Sequence, residues 1–151
     1  LNTAVANSSL LIASKFGMNV TLLCPSESYH LDKRYLDAAK KNCSNENASF
    51  NISYDIAEAY SGKEIVYAKS WGSLENYGNA GKQSMQNNKY KNFIVDEQKM
   101  GLTNSAVFSH CLPLRRNVKA TDSVMDSDYC LAVAEAANRK HVQKSILSKI
   151  L

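Results

Sequence analysis

The stretch Met18-Asn-Val-Thr-Leu-Leu-Cys24 is rich in β-branched and leucine side chains and is followed at once by a proline. This composition predicts a short β-strand that ends at the proline. The stretch is apolar enough for both of its faces to be buried, as in parallel sheets covered by helices. Apolar residues before it, among them Ile12 and Phe16, recur at helical spacing, and Gly17 is placed to end that helix. We therefore predict a helix–strand unit of an α/β fold.

Helices and strands continue to alternate along the chain. Further strands are predicted at Phe50–Tyr54, Glu64–Ala68, Ala106–His110 and Tyr129–Val133, and further helices at Asp32–Lys41, Ile56–Tyr60 and Glu135–Leu151. Ser70–Asn88 has no clear periodicity and is expected to be a long loop. The alternation predicts an open, mostly parallel, doubly wound α/β sheet with helices on both faces, of the Rossmann-like kind.

Ligands of such sheets bind at the carboxyl ends of the strands. The residues that follow predicted strands are therefore the first candidates for chemistry. They lie in three segments: Lys69–Trp71, His110–Arg116 and Glu135–Arg139.

The length, charge and cysteine pattern of the sequence limit the classes of protein to which it can belong. With 151 residues, 44% of them hydrophobic, we expect one globular domain over residues 1–151. The net charge of +4 is too small to indicate a nucleic-acid or membrane partner. Leu1–Gly17 contains Asn and Ser where a signal peptide would be continuously apolar. The cysteines form no Cys-x-x-Cys pair, so we expect a soluble cytoplasmic protein without a metal site.

Several common functions lack their motifs. The sequence has no Gly-x-Gly-x-x-Gly and no Gly-x-x-x-x-Gly-Lys-Ser/Thr, which argues against a dinucleotide or P-loop phosphate site. It also has no Gly-x-Ser-x-Gly and no His-Glu-x-x-His, which argues against a hydrolase triad or a zinc peptidase.

The segment His110-Cys-Leu-Pro-Leu-Arg-Arg-Asn117 combines an imidazole, a thiol and two guanidinium groups. Together these groups can orient an amine and neutralise an oxyanion or a phosphate. By residue type alone, Cys111 fits a buried structural cysteine and His110 a hydrogen-bonded core histidine better than functional roles, and the arginines are also consistent with a solvated turn.

The run His-Cys-Leu-Pro followed by Arg, and the run Glu135-Ala-Ala-Asn-Arg139 before the last helix, resemble the signatures of the aspartate/ornithine carbamoyltransferase family. The resemblance covers the whole chain, which is similar to the carboxyl-terminal, amino-acid-binding half of such an enzyme. The Ser-x-Arg-Thr phosphate motif of the other half does not occur in this sequence, so we expect these residues to be inactive alone. The resemblance also implies a homotrimer for the full-length protein and a knotted backbone in this half.

Lys69 indicates which substrate subgroup the sequence resembles. Ornithine-specific members carry an Asp at this position, where it pairs with the free α-ammonium. A lysine would repel an ammonium and favour a substrate whose α-nitrogen is acylated. Tyr67-Ala-Lys-Ser-Trp71 and Arg115–Asp122 are similar to members that use N-acetylornithine. Ala137 departs from that pattern and leaves N-succinylornithine as the alternative.

The resemblance implies roles for individual residues. Cys111, Leu112 and Arg139 would bind carbamoyl phosphate, and Asn2, Lys69 and Leu112 would bind the acylated amino acid. The catalytic set would be His110, Cys111 and Arg115, while Lys119 would be carboxylated on Nζ.

The implied reaction transfers the carbamoyl group of carbamoyl phosphate to the δ-amine of N-acetyl-L-ornithine, giving N-acetylcitrulline and phosphate in arginine biosynthesis. It needs no cofactor. The alternatives are the N-succinylornithine reaction and a non-catalytic module that binds an acylated amino acid.

Overall fold

The predicted alternation of helices and strands is present in the computed structural model, which describes residues 4–69, 76 and 78–151. The described residues fall into two compact units. The first unit takes its residues from Leu1–Ser61 and Ser70–Phe93, and the second from Gly62–Lys69 and Ile94–Leu151.

The first unit is built around a parallel strand pair. Strand β1 (Val20–Leu23) pairs with β2 (Phe50–Ser53) so that Val20 lies opposite Phe50. The buried residues Leu10, Leu31 and Ala39 form the centre of its hydrophobic core, against which Val20 and Phe50 pack. Its helices are α1 (Ala4–Lys15), α2 (Lys33–Asn45), α3 (Ile56–Tyr60) and α4 (Ala80–Asn88), with 3-10 turns at Glu27–Tyr29 and Lys91–Phe93.

The second unit is also built around a parallel strand pair, with shorter strands. Strand β3 (Ile65–Tyr67) pairs in parallel with β4 (Val107–Ser109), and Tyr67 lies opposite Ser109. Helix α7 (Ala132–Ile150) contacts β4, whose central residue Phe108 is fully buried. The two remaining helices are α5 (Glu97–Met100) and α6 (Asp122–Met125).

The α/β class with parallel strands is confirmed, but three local predictions are wrong. Residues 80–88 are helical because the Asn79 side chain accepts a hydrogen bond from the Lys82 N–H at 3.0 Å and caps the helix. The predicted strand Tyr129–Val133 is reduced to a single bridge between Cys130 and Phe108. The alanine-rich segment that follows favours helix, so α7 begins before Glu135.

Helix α7 is the longest helix that the structure describes. Its carboxyl-terminal half exposes the apolar side chains Val142, Ile146, Leu147 and Ile150. Within the described ranges, no helix combines the length and the apolar character that crossing a lipid bilayer requires.

Candidate functional site

The carboxyl ends of β3 and β4 bring two of the predicted segments together. Because the strands are parallel, the residues that follow Tyr67 and Ser109 leave the sheet at the same edge. The Ala68 N–H continues the pairing and donates to the Ser109 carbonyl at 3.0 Å. Lys69 and His110 are the next residues, and the charge of Lys69 acts on the imidazole.

His110 is completely buried and holds the turn that follows it. Its Nδ1 accepts a hydrogen bond from the Leu112 N–H at 2.9 Å. An accepting Nδ1 carries no hydrogen, so the neutral ring has its proton on Nε2. That Nε2 has no hydrogen-bond partner among the described residues.

Burial lowers the pKa of His110 below its ordinary value, and the positive charges of Lys69 and Lys119 lower it further. The carboxylate of Glu135 acts in the opposite direction, but burial has the largest effect. The imidazole is therefore neutral at physiological pH.

Leu112 has an unusual backbone conformation for a residue with a branched side chain. Its φ of +49° lies in the left-handed region, and the peptide bond to Pro113 is cis. The left-handed conformation costs a leucine about 1–2 kcal/mol, so the surroundings must impose it. Such backbone strain is typical of binding sites, and here it occurs directly after a strand end. Cys111 precedes it and is half-buried.

The loop after Pro113 adds two cations to this edge of the sheet. Lys119 is only 6% exposed, and its backbone N–H donates to the Arg115 carbonyl at 3.1 Å. Burial lowers the pKa of the Lys119 ammonium, and the positive charges of exposed Arg115 and of Lys69 lower it further. Arg115 and Lys69 are therefore both close enough for their charges to act on Lys119.

The second arginine of the predicted segment has a structural role in the same loop. Arg116 donates hydrogen bonds to Asp122 at 2.9 Å and to Asp126 at 2.5 and 2.9 Å. Asn117, with a φ of +57°, accepts from the Asp122 N–H at 3.0 Å and donates to its carboxylate at 2.6 Å. These contacts fix the loop that carries Arg115 and Lys119.

Glu135 lies in a segment that the sequence analysis selected as a candidate for chemistry, but no role was assigned to it. It lies in the first turn of α7, where its carboxylate accepts hydrogen bonds from the Tyr67 hydroxyl at 2.8 Å and from the Ser109 hydroxyl. It therefore joins the ends of β3 and β4 to α7. The position of a carboxylate at the start of a helix can be seen in the sequence. Its hydrogen-bond partners cannot, because they lie 68 and 26 residues away.

The remaining predicted residues are less closely grouped. Arg139 is exposed on α7, one turn after Glu135, and is not among the charges that shift the pKa of His110 or Lys119. Ala137 is exposed on the same helix. Asn2 lies outside the described residues. The part of the chain that the structure describes contains no group of three His, Cys, Asp or Glu side chains able to hold a metal ion.

This edge of the second unit combines clustered positive charge with a neutral histidine and a strained backbone turn. Ammonium and guanidinium groups bind carboxylates and phosphates by charge-assisted hydrogen bonds. The arrangement therefore suits a small anionic ligand that is also oriented by backbone groups.

Comparison with known proteins identifies close relatives. The family model of the aspartate/ornithine carbamoyltransferase Asp/Orn binding domain matches residues 1–150. An N-acetylornithine carbamoyltransferase of Xylella fastidiosa is 57% identical over 150 residues, which are 99% of this chain and 45% of that protein. An N-succinylornithine carbamoyltransferase of Bacteroides fragilis is 33% identical over 127 residues, covering 83% of this chain and 35% of that protein.

A crystal structure of acetylornithine transcarbamylase complexed with acetylcitrulline has a TM-score of 0.95 to this chain at 57% identity. The match covers 100% of this chain and 45% of the other. The chain thus spans less than half the length of the relatives that it resembles at 57% identity.

The role of Glu135 is tested by Glu135→Ala. This variant removes the carboxylate that accepts hydrogen bonds from the Tyr67 and Ser109 hydroxyl groups, and we expect the free energy of unfolding to fall by about 1–3 kcal/mol. Urea unfolding measures it, with Glu64→Ala at an exposed position as the matched control, expected within about 0.5 kcal/mol of wild type. In a double-mutant cycle, Tyr67→Phe should lower the free energy of unfolding less in the Glu135→Ala variant than in the wild-type protein. Equal losses in the Glu135→Ala and Glu64→Ala variants would contradict the prediction.

The lowered pKa of Lys119 makes stability depend on pH. Between the folded pKa and the ordinary value of 10.5, the unfolded chain binds more protons here than the folded chain, so stability rises with pH. Below this window Lys119 is charged in both the folded and the unfolded chain, so the full cost of burying the ammonium lowers the free energy of unfolding. We expect the difference in unfolding free energy, Lys119→Met minus wild type, to fall as pH is raised through it.

Urea unfolding at several pH values, in buffer depleted of carbon dioxide, measures this difference. Lys149→Met, at an exposed position of α7, is the control for removing a lysine side chain that is not buried. A difference for Lys119→Met that is constant or that grows with pH would show that burial does not disfavour the charged form.

Proposed function

Because the chain belongs to the aspartate/ornithine carbamoyltransferase family, we propose that it forms the amino-acid-binding half of an N-acetylornithine carbamoyltransferase. The full-length protein would transfer the carbamoyl group of carbamoyl phosphate to the δ-amine of N-acetyl-L-ornithine. The products would be N-acetylcitrulline and phosphate, within arginine biosynthesis. The observation that carries the choice of substrate is the position of Lys69 at the strand edge, where its positive charge acts on His110 and Lys119 and would repel an α-ammonium.

Similarity to named relatives supports the same choice. Identity is 57% to the N-acetylornithine enzyme of Xylella fastidiosa, but 33% to the N-succinylornithine enzyme of Bacteroides fragilis and 31% to an ornithine enzyme of Campylobacter curvus. The N-acetyl substrate is therefore favoured over the alternatives.

The chemistry is a displacement at a carbonyl carbon. The neutral δ-amine attacks the carbamoyl carbon, and a tetrahedral oxyanion forms. The bond from that carbon to the phosphate oxygen breaks, phosphate leaves, and the attacking nitrogen loses a proton. No electron is exchanged with a third partner, so the reaction requires no redox cofactor. Catalysis of this kind depends on positioning the substrates and on preorganised positive charge beside the oxyanion and the leaving group.

Residues of this chain would share these tasks. The backbone around Cys111 and Leu112 would contact the carbamoyl group, with the Leu112 side chain against the amino acid. Arg139 would bind carbamoyl phosphate. Lys69 would hold the carboxylate side of N-acetylornithine, and Arg115 would add positive charge.

Lys119 is a candidate for carboxylation on Nζ. Carbon dioxide reacts with a neutral amine, and the lowered pKa of this buried ammonium increases the neutral fraction. Nζ forms a bond to the carbon of carbon dioxide and releases a proton to solvent, so the product is a carbamate that would place a negative charge near Arg115 and Lys69.

For assembly and location, the support is the resemblance to the family alone. We propose a homotrimer for the full-length protein, a cytoplasmic location, and a knotted backbone in this half.

The acceptor specificity of the full-length protein tests the proposal directly. Phosphate release is measured with carbamoyl phosphate and, in parallel, N-acetylornithine, N-succinylornithine and ornithine. We expect kcat/KM for N-acetylornithine to exceed the other two by at least about 100-fold, because burying an unmatched charge or a larger acyl group is costly. Preference for N-succinylornithine would select the alternative substrate, and preference for ornithine would contradict the role given to Lys69.

Replacing Lys69 by methionine keeps a long side chain and removes its charge. Loss of a charge-assisted hydrogen bond to the substrate should lower kcat/KM for N-acetylornithine by about 10- to 100-fold, mainly through a higher KM. Lys140→Met, at an exposed position on α7, is the matched control and should keep wild-type kinetics. Unchanged kinetics in Lys69→Met would remove this residue from the substrate site.

A further inference from the structure

We propose that His110 is a positioning residue, whose neutral imidazole holds the Leu112 backbone in the conformation that receives the carbamoyl group. The inference rests on the proposed function for the identity of that group. It replaces the catalytic role expected for His110 from the sequence, because it assigns no proton transfer to this side chain.

Burial is the first observation. The His110 side chain has no exposed surface, whereas Cys111 and Leu112 are both partly exposed. A group that is enclosed on all sides cannot touch a substrate unless the surrounding structure opens. Its effect must therefore pass through the residues that it contacts.

The hydrogen bond to Leu112 is the second observation. The basic lone pair of the neutral ring is on Nδ1, and this atom accepts the Leu112 N–H at 2.9 Å. A lone pair that is already engaged cannot accept the proton of an attacking amine. Protonation of Nδ1 would also place two donors against each other and break the bond. The geometry therefore requires the neutral form with the hydrogen on Nε2.

The conformation of Leu112 is the third observation. Its φ of +49° is unfavourable for a leucine, and the bond from its N–H to a fully buried ring offsets part of that cost. The ring itself is held after β4, whose last residue, Ser109, is bonded to Glu135. The turn is thus anchored to the sheet through His110.

The charges around the ring agree with this role. Lys69, Lys119 and Glu135 act on His110, two of them positive and one negative. A positive charge on the ring would be the third in this buried site and would face both lysines. Neutrality is therefore favoured by the surroundings as well as by the hydrogen bond.

Two substitutions in the full-length protein separate positioning from proton transfer. Asn carries an oxygen on Cγ, as His carries Nδ1, so His110→Asn retains an acceptor for the Leu112 N–H. His110→Leu has similar bulk and no acceptor. We expect His110→Leu to lower kcat by at least about 100-fold with KM for the amino acid changed less than about threefold, and His110→Asn to keep kcat within about tenfold of wild type.

The dependence of kcat/KM on pH separates positioning from proton transfer. It changes when a residue that transfers a proton is lost, but not when a residue that only holds the backbone is replaced. We expect kcat/KM for His110→Asn and for wild type to follow the same pH dependence between about pH 6 and 9. The proposal would be overturned if kcat/KM of His110→Asn lost its dependence on pH on the acidic or the basic side. It would also be overturned if kcat fell equally in the Asn and Leu variants. If His110→Leu does not fold, His110→Gln replaces it, since its amide lies one bond further out and cannot reach the same position.

The tautomer is measured independently of turnover. In the full-length protein labelled with ¹⁵N-histidine, the signal that is absent from His110→Asn should show a neutral ring protonated on Nε2, unchanged between about pH 7 and 9. A hydrogen on Nδ1, or titration in this range, would overturn the assignment. The expected signal could also be found in a protein that does not transfer carbamoyl groups. That result would refute the proposed function and the role of His110 at the carbamoyl group, but the tautomer would still be established.

Discussion

The parallel pairing of β3 and β4, with Tyr67 opposite Ser109, is the constraint on which the candidate site depends. Parallel strands end at the same edge, so this register sets Lys69 beside the segment that begins at His110. The carboxylate of Glu135 bonds to both strand-terminal hydroxyl groups and connects the pair to α7. A register shift of one residue would point alternate side chains to opposite faces and separate these groups.

Several features at this edge oppose folding. Lys119 is an ionisable group in a buried position, Leu112 has a left-handed backbone, and the Nε2 of His110 has no partner among the residues that the structure describes. Elsewhere in the unit, buried apolar residues such as Phe108 and Val124 provide the compensating stability. Local rules are broken where the proposed chemistry lies, which is the pattern expected of a functional site.

Sequence reasoning predicted the parts of this site that depend on local pattern. Short apolar runs indicated the strands, and the ends of those runs led to Lys69 and to the segment from His110. The contacts of Glu135 could not be predicted this way, because Tyr67 and Ser109 become its partners only when β3, β4 and α7 are packed together. The 80–88 helix was missed because its stabilising feature is a single cap at Asn79 rather than an apolar face.

Arg115 and Arg116 have different contacts, which shows why residue type alone could not identify the residues of the site. Adjacent arginines are equivalent in composition, yet Arg116 is bonded to two aspartates while the charge of Arg115 acts on buried Lys119. A guanidinium that two carboxylates already neutralise contributes little field to a neighbouring ligand. The repulsion that Lys69 and Arg115 exert on the Lys119 ammonium is an electrostatic cost that an anionic ligand would reduce. Binding of such a ligand to the folded protein alone would then stabilise it, so affinity and stability are coupled at this edge of the sheet.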